Sequence, residues 1–181
     1  MTRLVKSLTV LLLVGLGTAG YTQVMLRKGS GTPPPMAPAD QQADAIFVDK
    51  SDRALVLLRD GEPIRTYDIS MGGNPEGHKT QEGDERTPTG TYEIDWRNEN
   101  SIAHLSLHIS YPNAEDTAQA QARGVSPGGD IMIHGILNGW GLLGFLQHHV
   151  DWTNGCIAAT NTDMREIWSL VPNGTPIVIE E

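Results

Sequence analysis

Cysteine occurs once in the 181-residue chain, at position 156. One thiol excludes an internal disulfide and a four-cysteine metal site. Aromatic residues are scarce, with two Phe, four Trp and four Tyr, so a core must rest on aliphatics. Cations are scarce too: 13 Lys and Arg against 22 Asp and Glu give a net charge of −9, which argues against a nucleic-acid binder. No internal repeat is present, and no His-Glu-x-x-His pair marks a helical metal site. What the chain does have is 39% apolar residues with 20 Gly and 11 Pro, the composition of a loop-rich globular protein rather than a disordered or fibrous one.

The front end is basic and apolar. Arg3 and Lys6 precede the charge-free run Leu8 to Leu26, and Arg27 and Lys28 close it. As a helix the run spans roughly 28 Å, close to the thickness of a bilayer's hydrocarbon core. Two readings stay open for residues 1–28: an uncleaved signal anchor, favoured by the length, or a signal peptide cleaved near Gly17-Thr18-Ala19. Either puts the rest of the chain outside the cytoplasm, on the periplasmic face. Residues 29–43, rich in Pro, Gly and Ala, read as a semi-extended linker. The domain is placed at 44–181, where 9 basic side chains face 21 acidic ones, a net of −12.

That domain reads as mainly β. Short apolar runs at 45–48 and 54–58 are strands, and Asp60-Gly61 is a hairpin turn into a third strand at 62–70. A polar loop over 71–90 leads to strands at 91–96, 104–109 and 130–134, with a short exposed helix at 113–123. Met164, Ile167, Trp168 and Val171 recur at helical spacing and define one buried face of a helix over 161–171, with Asn161 or Thr162 as its cap. A strand at 175–179 closes the chain. The pattern predicts a β-sandwich or distorted barrel with one or two packed helices.

The chemistry converges on Cys156. Buried and inert is the ordinary state of a lone thiol, but in an oxidising compartment an unpaired thiol is a liability. Gly155 before it permits a tight turn that projects a nucleophile, and His134, followed by Gly135, ends a predicted strand 22 residues upstream. Other residues invite weaker readings. Thr153 either supports an oxyanion site or hydrogen-bonds the turn. Trp140, in the Gly-rich stretch 138–146, is a candidate cleft residue, and that stretch caps the site, faces a membrane or packs in the core. His78 and Lys79 lie in a loop that could touch substrate. His104 and His108, four apart on a predicted strand, share a face, and His148, His149 and Asp151 are nearby ligand types, yet the spacing favours ordinary hydrogen-bonded histidines over a metal.

The stretch from His134-Gly135 through Thr153-Asn154-Gly155-Cys156-Ile157, with Thr87-Pro88-Thr89-Gly90-Thr91-Tyr92 upstream and 161–166 and 174–177 downstream, resembles the catalytic domain of the L,D-transpeptidase (YkuD-type) family. The likeness runs from about residue 44 to 180. Asn154 stands where the family has His, Ala158 stands where it has Asn or Arg, and the His–Cys spacer is longer. The resemblance implies an L,D-transpeptidase-like fold and acyl transfer on peptidoglycan stem peptides. Cys156 would be the nucleophile and His134 the base. Gly155, Asn154, Thr153 and Gly135 would stand around them. Hydrolysis of the same substrates, or murein binding without chemistry, are the alternatives. No cofactor or metal is implied, and by family analogy penicillins would fail where carbapenems inhibit.

Overall fold

The structure, a computed structural model, describes residues 3–29 and 31–181, the side chains of Arg3, Leu4 and His148 excepted. His148, raised above as a ligand type, therefore lies outside the described side chains.

The apolar run forms one helix, α1 (Arg3–Leu26), of which Val5–Leu26 is long and apolar enough to cross a membrane by length and composition. Eight strands follow: β1 (Ala45–Asp49), β2 (Ala54–Arg59), β3 (Glu62–Asp68), β4 (Gly90–Asn98), β5 (Ser106–Ile109), β6 (Met132–His134), β7 (Ile157–Ala158) and β8 (Pro176–Glu180). Two more helices are α2 (Ala114–Ala122) and α3 (Asn161–Leu170). The strands make a single sheet in the order β3-β2-β1-β8-β4-β5-β6-β7. Bridges from Ser70 to Ala158 and from Gly72 to Thr153 bring the chain after β3 onto β7 and close the curl. This is the mainly-β, distorted-barrel architecture expected from the sequence.

The local causes are visible. Asp60 and Gly61 both have positive φ (54° and 80°), the two-residue hairpin geometry that matches strand twist. Alternating burial along β1, β2 and β8 turns Ile46, Val48, Leu55, Leu57, Ile177 and Ile179 into the core. The expected apolar face of α3 is buried at Met164, Ile167, Trp168 and Val171. The Arg97 guanidinium lies 4.0 Å over the Trp168 ring.

Several local expectations change. The cap of α3 is Thr160, whose Oγ1 accepts the Asp163 N–H at 3.1 Å; Asn161 is already helical and its side chain serves elsewhere. The helix at α2 is not wholly exposed: Asp116 and Ala120 are buried, Asp116 because it completes a capping box with Asn113 and accepts from Tyr92. His104 is not on β5. It precedes that strand with φ 67° and is buried, so it shares no face with His108. The linker is docked rather than free: Thr32 O accepts from Arg165, Pro35 O from Ser169, and Ala43 N–H bonds to Leu170 O.

Candidate active site

Sheet register assembles the site. β5 pairs with β6 at Ser106–His134 and His108–Met132, and β6 runs parallel to β7 with Ile133 opposite Ile157. Carried back one residue, that register puts Cys156 opposite Met132. Side chains alternate along a strand, so Ile133 and Ile157 enter the core while Met132, His134 and Cys156 share the other face. Cys156 and His134 are diagonal neighbours there, with roughly 8 Å between Cα atoms from standard strand spacings. Both line one cavity of about 430 Å³, together with Ser106, Leu137, Trp152 and Asn154.

His134 is buried, and its Nδ1 lies 2.6 Å from Gly135 O. A carbonyl only accepts, so Nδ1 carries the proton and Nε2 is left as the ring's acceptor. Burial lowers the imidazole's pKa below its ordinary 6.5, only partly offset by that carbonyl. The ring meets Trp152 edge-on at 5.8 Å. Behind it, Asn161 Oδ1 accepts the Ile136 N–H at 2.8 Å, and a Cβ on Gly135 would meet that oxygen at 2.7 Å. Gly135 is thus required by close approach, and Asn161 fixes the turn that follows the imidazole.

Cys156 is half-buried, and its Sγ–H points to Asp130 O at 3.6 Å. Burial pushes the thiol pKa up; the Met132 N–H counteracts this and the Asp130 charge adds to it. The resting pair is therefore neutral thiol and neutral imidazole. Thr153 ties the turn: its Oγ1 donates to Cys156 O at 2.7 Å and accepts the Gly155 N–H at 3.1 Å. The Gly155 amide is thereby engaged within the turn, and Thr153's role here is that of a turn tie.

A second, polar cavity of about 610 Å³ opens beside the thiol, and Asn154 lines both. Its walls include Lys79, Glu82, Glu85 and Asp130. Lys79 is buried, and its Nζ reaches Asp84 at 2.8 Å and Gln81 O at 3.1 Å. Burial alone would raise Asp84, but hydrogen bonds from Lys79 and the Thr80, Arg86 and Gln81 amides outweigh it and hold the carboxyl at about 2.

Two expected site residues stand elsewhere. His78 lines neither cavity: Nδ1 accepts the Thr89 N–H at 3.1 Å and Nε2 reaches Asp116 at 3.1 Å, a structural bridge to α2. Trp140 also lines neither cavity; it packs on α1, with Nε1 donating to Thr22 Oγ1 at 3.1 Å. Trp152, which nothing in the sequence distinguished from a packing residue, takes the cleft position instead. His108 bonds Asp95 at 2.6 Å and stacks on Trp96 at 4.8 Å. Among the described residues no three His, Cys, Asp or Glu side chains are grouped to hold a metal.

His104 is lowered from its ordinary value by burial and by Arg165. With His134 it makes the fold acid-sensitive. A buried histidine of depressed pKa contributes stability that is present above its unfolded value of 6.5 and lost as pH falls through the folded value. The thermal midpoint should drop from about pH 7 to about pH 5. Substituting His104 by Gln should flatten that decline, read by calorimetry across this range.

The comparisons agree with this fold. Residues 43–179 match the model of the YkuD family, the L,D-transpeptidase catalytic domain. The chain belongs to that family. Among solved structures it is similar to the helical cell shape determining protein Pgp2 from Campylobacter jejuni, at 24% identity and TM-score 0.59, over 88% of this chain and 55% of that one. It is also similar to Bd1075 from Bdellovibrio bacteriovorus, at 20% identity and TM-score 0.53, over 82% and 52% of the two chains. An L,D-transpeptidase from Mycobacterium smegmatis matches at 15% identity and TM-score 0.50, over 76% and 58%. The chain thus spans little more than half the length of these structures. No curated protein matches the sequence.

Proposed function

We propose that the chain is a cysteine-dependent acyl transferase acting on peptidoglycan stem peptides, an L,D-transpeptidase with Cys156 as nucleophile and His134 as general base. The observation that carries the reading is His134 held by Gly135 O in the tautomer that leaves Nε2 basic, on the sheet face that bears the only thiol. Nε2 takes the Sγ proton as sulfur attacks the carbonyl carbon of an L–D peptide bond. The tetrahedral oxyanion then collapses, Nε2–H protonates the departing D-amino group, and a thioester remains on Cys156. An acceptor amine, deprotonated by Nε2, attacks that thioester and restores the thiol. The Cys156 N–H is the donor assigned to the developing oxyanion, and one well-aimed donor there is worth about 3–4 kcal/mol.

The polar cavity favours transfer to an amine over hydrolysis. Glu82, Glu85 and Asp130 line it, while its one lysine is already paired, so an ammonium-bearing acceptor is attracted there. Glu82→Gln with Glu85→Gln should raise the KM for the acceptor roughly 3- to 10-fold, since such exposed carboxylates act through a well-screened field. Thioester formation from the donor should be unchanged in single-turnover kinetics.

The acid limb of the donor pH profile should fall below pH 6.5, because burial depresses the base. An acid limb above that value would remove His134 as the base. The helix α1 anchors the domain in a membrane and holds it on the extracytoplasmic side, where murein lies. Incubating the purified full chain with tetrapeptide muropeptides and weighing the products tests the reaction. Cross-linked or exchanged stems are expected; shortened stems would assign hydrolysis instead, and unchanged stems would reduce the chain to a binding module.

A further inference from the structure

Residues 138–150, NGWGLLGFLQHHV, contain no Asp, Glu, Lys or Arg. The part Gly141–His149 forms a 3-10 run. A segment this apolar would ordinarily pack inward. Here it turns outward: Leu142 is 92% exposed, Phe145 66% and Val150 62%, with Leu143 and Leu146 also exposed. The backbone holds it in that attitude, because the carbonyl of buried Gln147 accepts from Ser70 Oγ. A contiguous exposed apolar patch marks a contact surface.

A second observation says what covers it. The last turns of α1 dock on this same segment. Tyr21 Oη donates to Gly139 O at 2.9 Å and Trp140 Nε1 to Thr22 Oγ1 at 3.1 Å. The Tyr21 and Trp140 rings meet edge-to-face at 5.9 Å, and Met25 abuts Gly139. The apolar surface of α1 therefore continues into the patch. Tyr and Trp, each with an apolar body and a polar tip, are the side chains favoured where hydrocarbon gives way to headgroups. Asp151, the first charge beyond the segment, is neutralised by Arg53 at 2.7 Å.

We propose that residues 141–150 form a monotopic membrane-contact surface, its apolar side chains seated at the headgroup–acyl boundary of the bilayer that α1 enters. The proposal rests on the reading of α1 as an anchor. It has a consequence for the site. Leu137 and Trp152, which flank the segment on either side, line the cavity that holds Cys156, so the reactive cavity lies at the lipid-facing end of the domain.

Depth-dependent quenching tests this on the full chain. Cys156→Ala removes the only native thiol, and single cysteines are then placed at Leu142, Phe145, Leu12 and Glu62 for labelling with an environment-sensitive fluorophore. Glu62 is the distal control: it lies eight residues along the chain from Ser70, roughly 26 Å of extended strand. The labelled chains are reconstituted in phosphatidylcholine vesicles carrying doxyl lipids. Probes at 142 and 145 should be quenched by headgroup-proximal doxyl, the probe at 12 by deep doxyl, and the probe at 62 by neither. Unquenched probes at 142 and 145 beside a quenched probe at 12 would overturn the proposal and leave the anchor intact. Equal quenching at 62 and 142 would also overturn it, since no particular face would then be selected. An unquenched probe at 12 would instead overturn the anchor reading, and with it the proposal, which seats the segment in the bilayer that α1 enters.

Discussion

Cys156→Ala should abolish thioester formation and turnover, a loss on the order of 10⁴-fold or more, while the fold survives. The asymmetry follows from where the thiol sits. It is half-buried immediately before a two-residue strand, so removing one sulfur costs little packing. No other cysteine exists to replace it. His134→Ala should cost about 10²- to 10⁴-fold, the range for losing a positioned general base. The reason is that burial raises the Cys156 thiol above its ordinary value, so little thiolate forms at neutral pH without a base. Raising the pH should therefore restore part of the His134→Ala activity, because the thiolate then forms unaided. Retained turnover in Cys156→Ala, or an alanine at 134 that changes nothing, would remove the pair from the chemistry.

Gly155→Ala should be the most damaging conservative change next to the site. Its φ of +115° lies where a β-carbon is strained, at about 1–3 kcal/mol. A Cβ there would stand 2.4 Å from Arg86 O, a backbone atom that cannot swing aside. Relief requires moving either the 86–88 loop or the 153–156 turn, and the second carries the nucleophile. Stability should fall by about 3 kcal/mol or more, seen as a lower urea midpoint, and thiol alkylation kinetics should change as Cys156 shifts. Wild-type stability in this variant would mean that the turn is not held as described.

Periodicity and turn chemistry made most of the frame legible beforehand. The β1–β3 hairpins, the buried face of α3 and the Gly-before-Cys turn all carry local signals: alternation, Asp-Gly, apolar spacing at three and four residues. The His134–Cys156 juxtaposition was accessible only as a strand-end histidine and a family-like motif, because its geometry depends on parallel pairing across 22 residues. β7 leaves no trace in the sequence, since two residues carry no period. Asn161 and Thr162 are the expected caps because both residue types favour that position, but Thr160 takes it, and the Asn161 amide oxygen reaches back to the Ile136 N–H. Trp140 and Trp152 exchanged roles for a related reason. Neither carries a local signal for the cleft, and only the docking of α1 on Gly139 separates the one that faces the helix from the one that faces His134.

The most direct test is to trap the intermediate. The full chain is mixed with a tetrapeptide muropeptide, quenched in acid within the first turnover, digested and weighed. The expected result is an acyl adduct, the donor stem less its terminal D-residue, on the peptide containing Cys156, and none in Cys156→Ala. Products formed with no such adduct, or an adduct on any other residue, would contradict it.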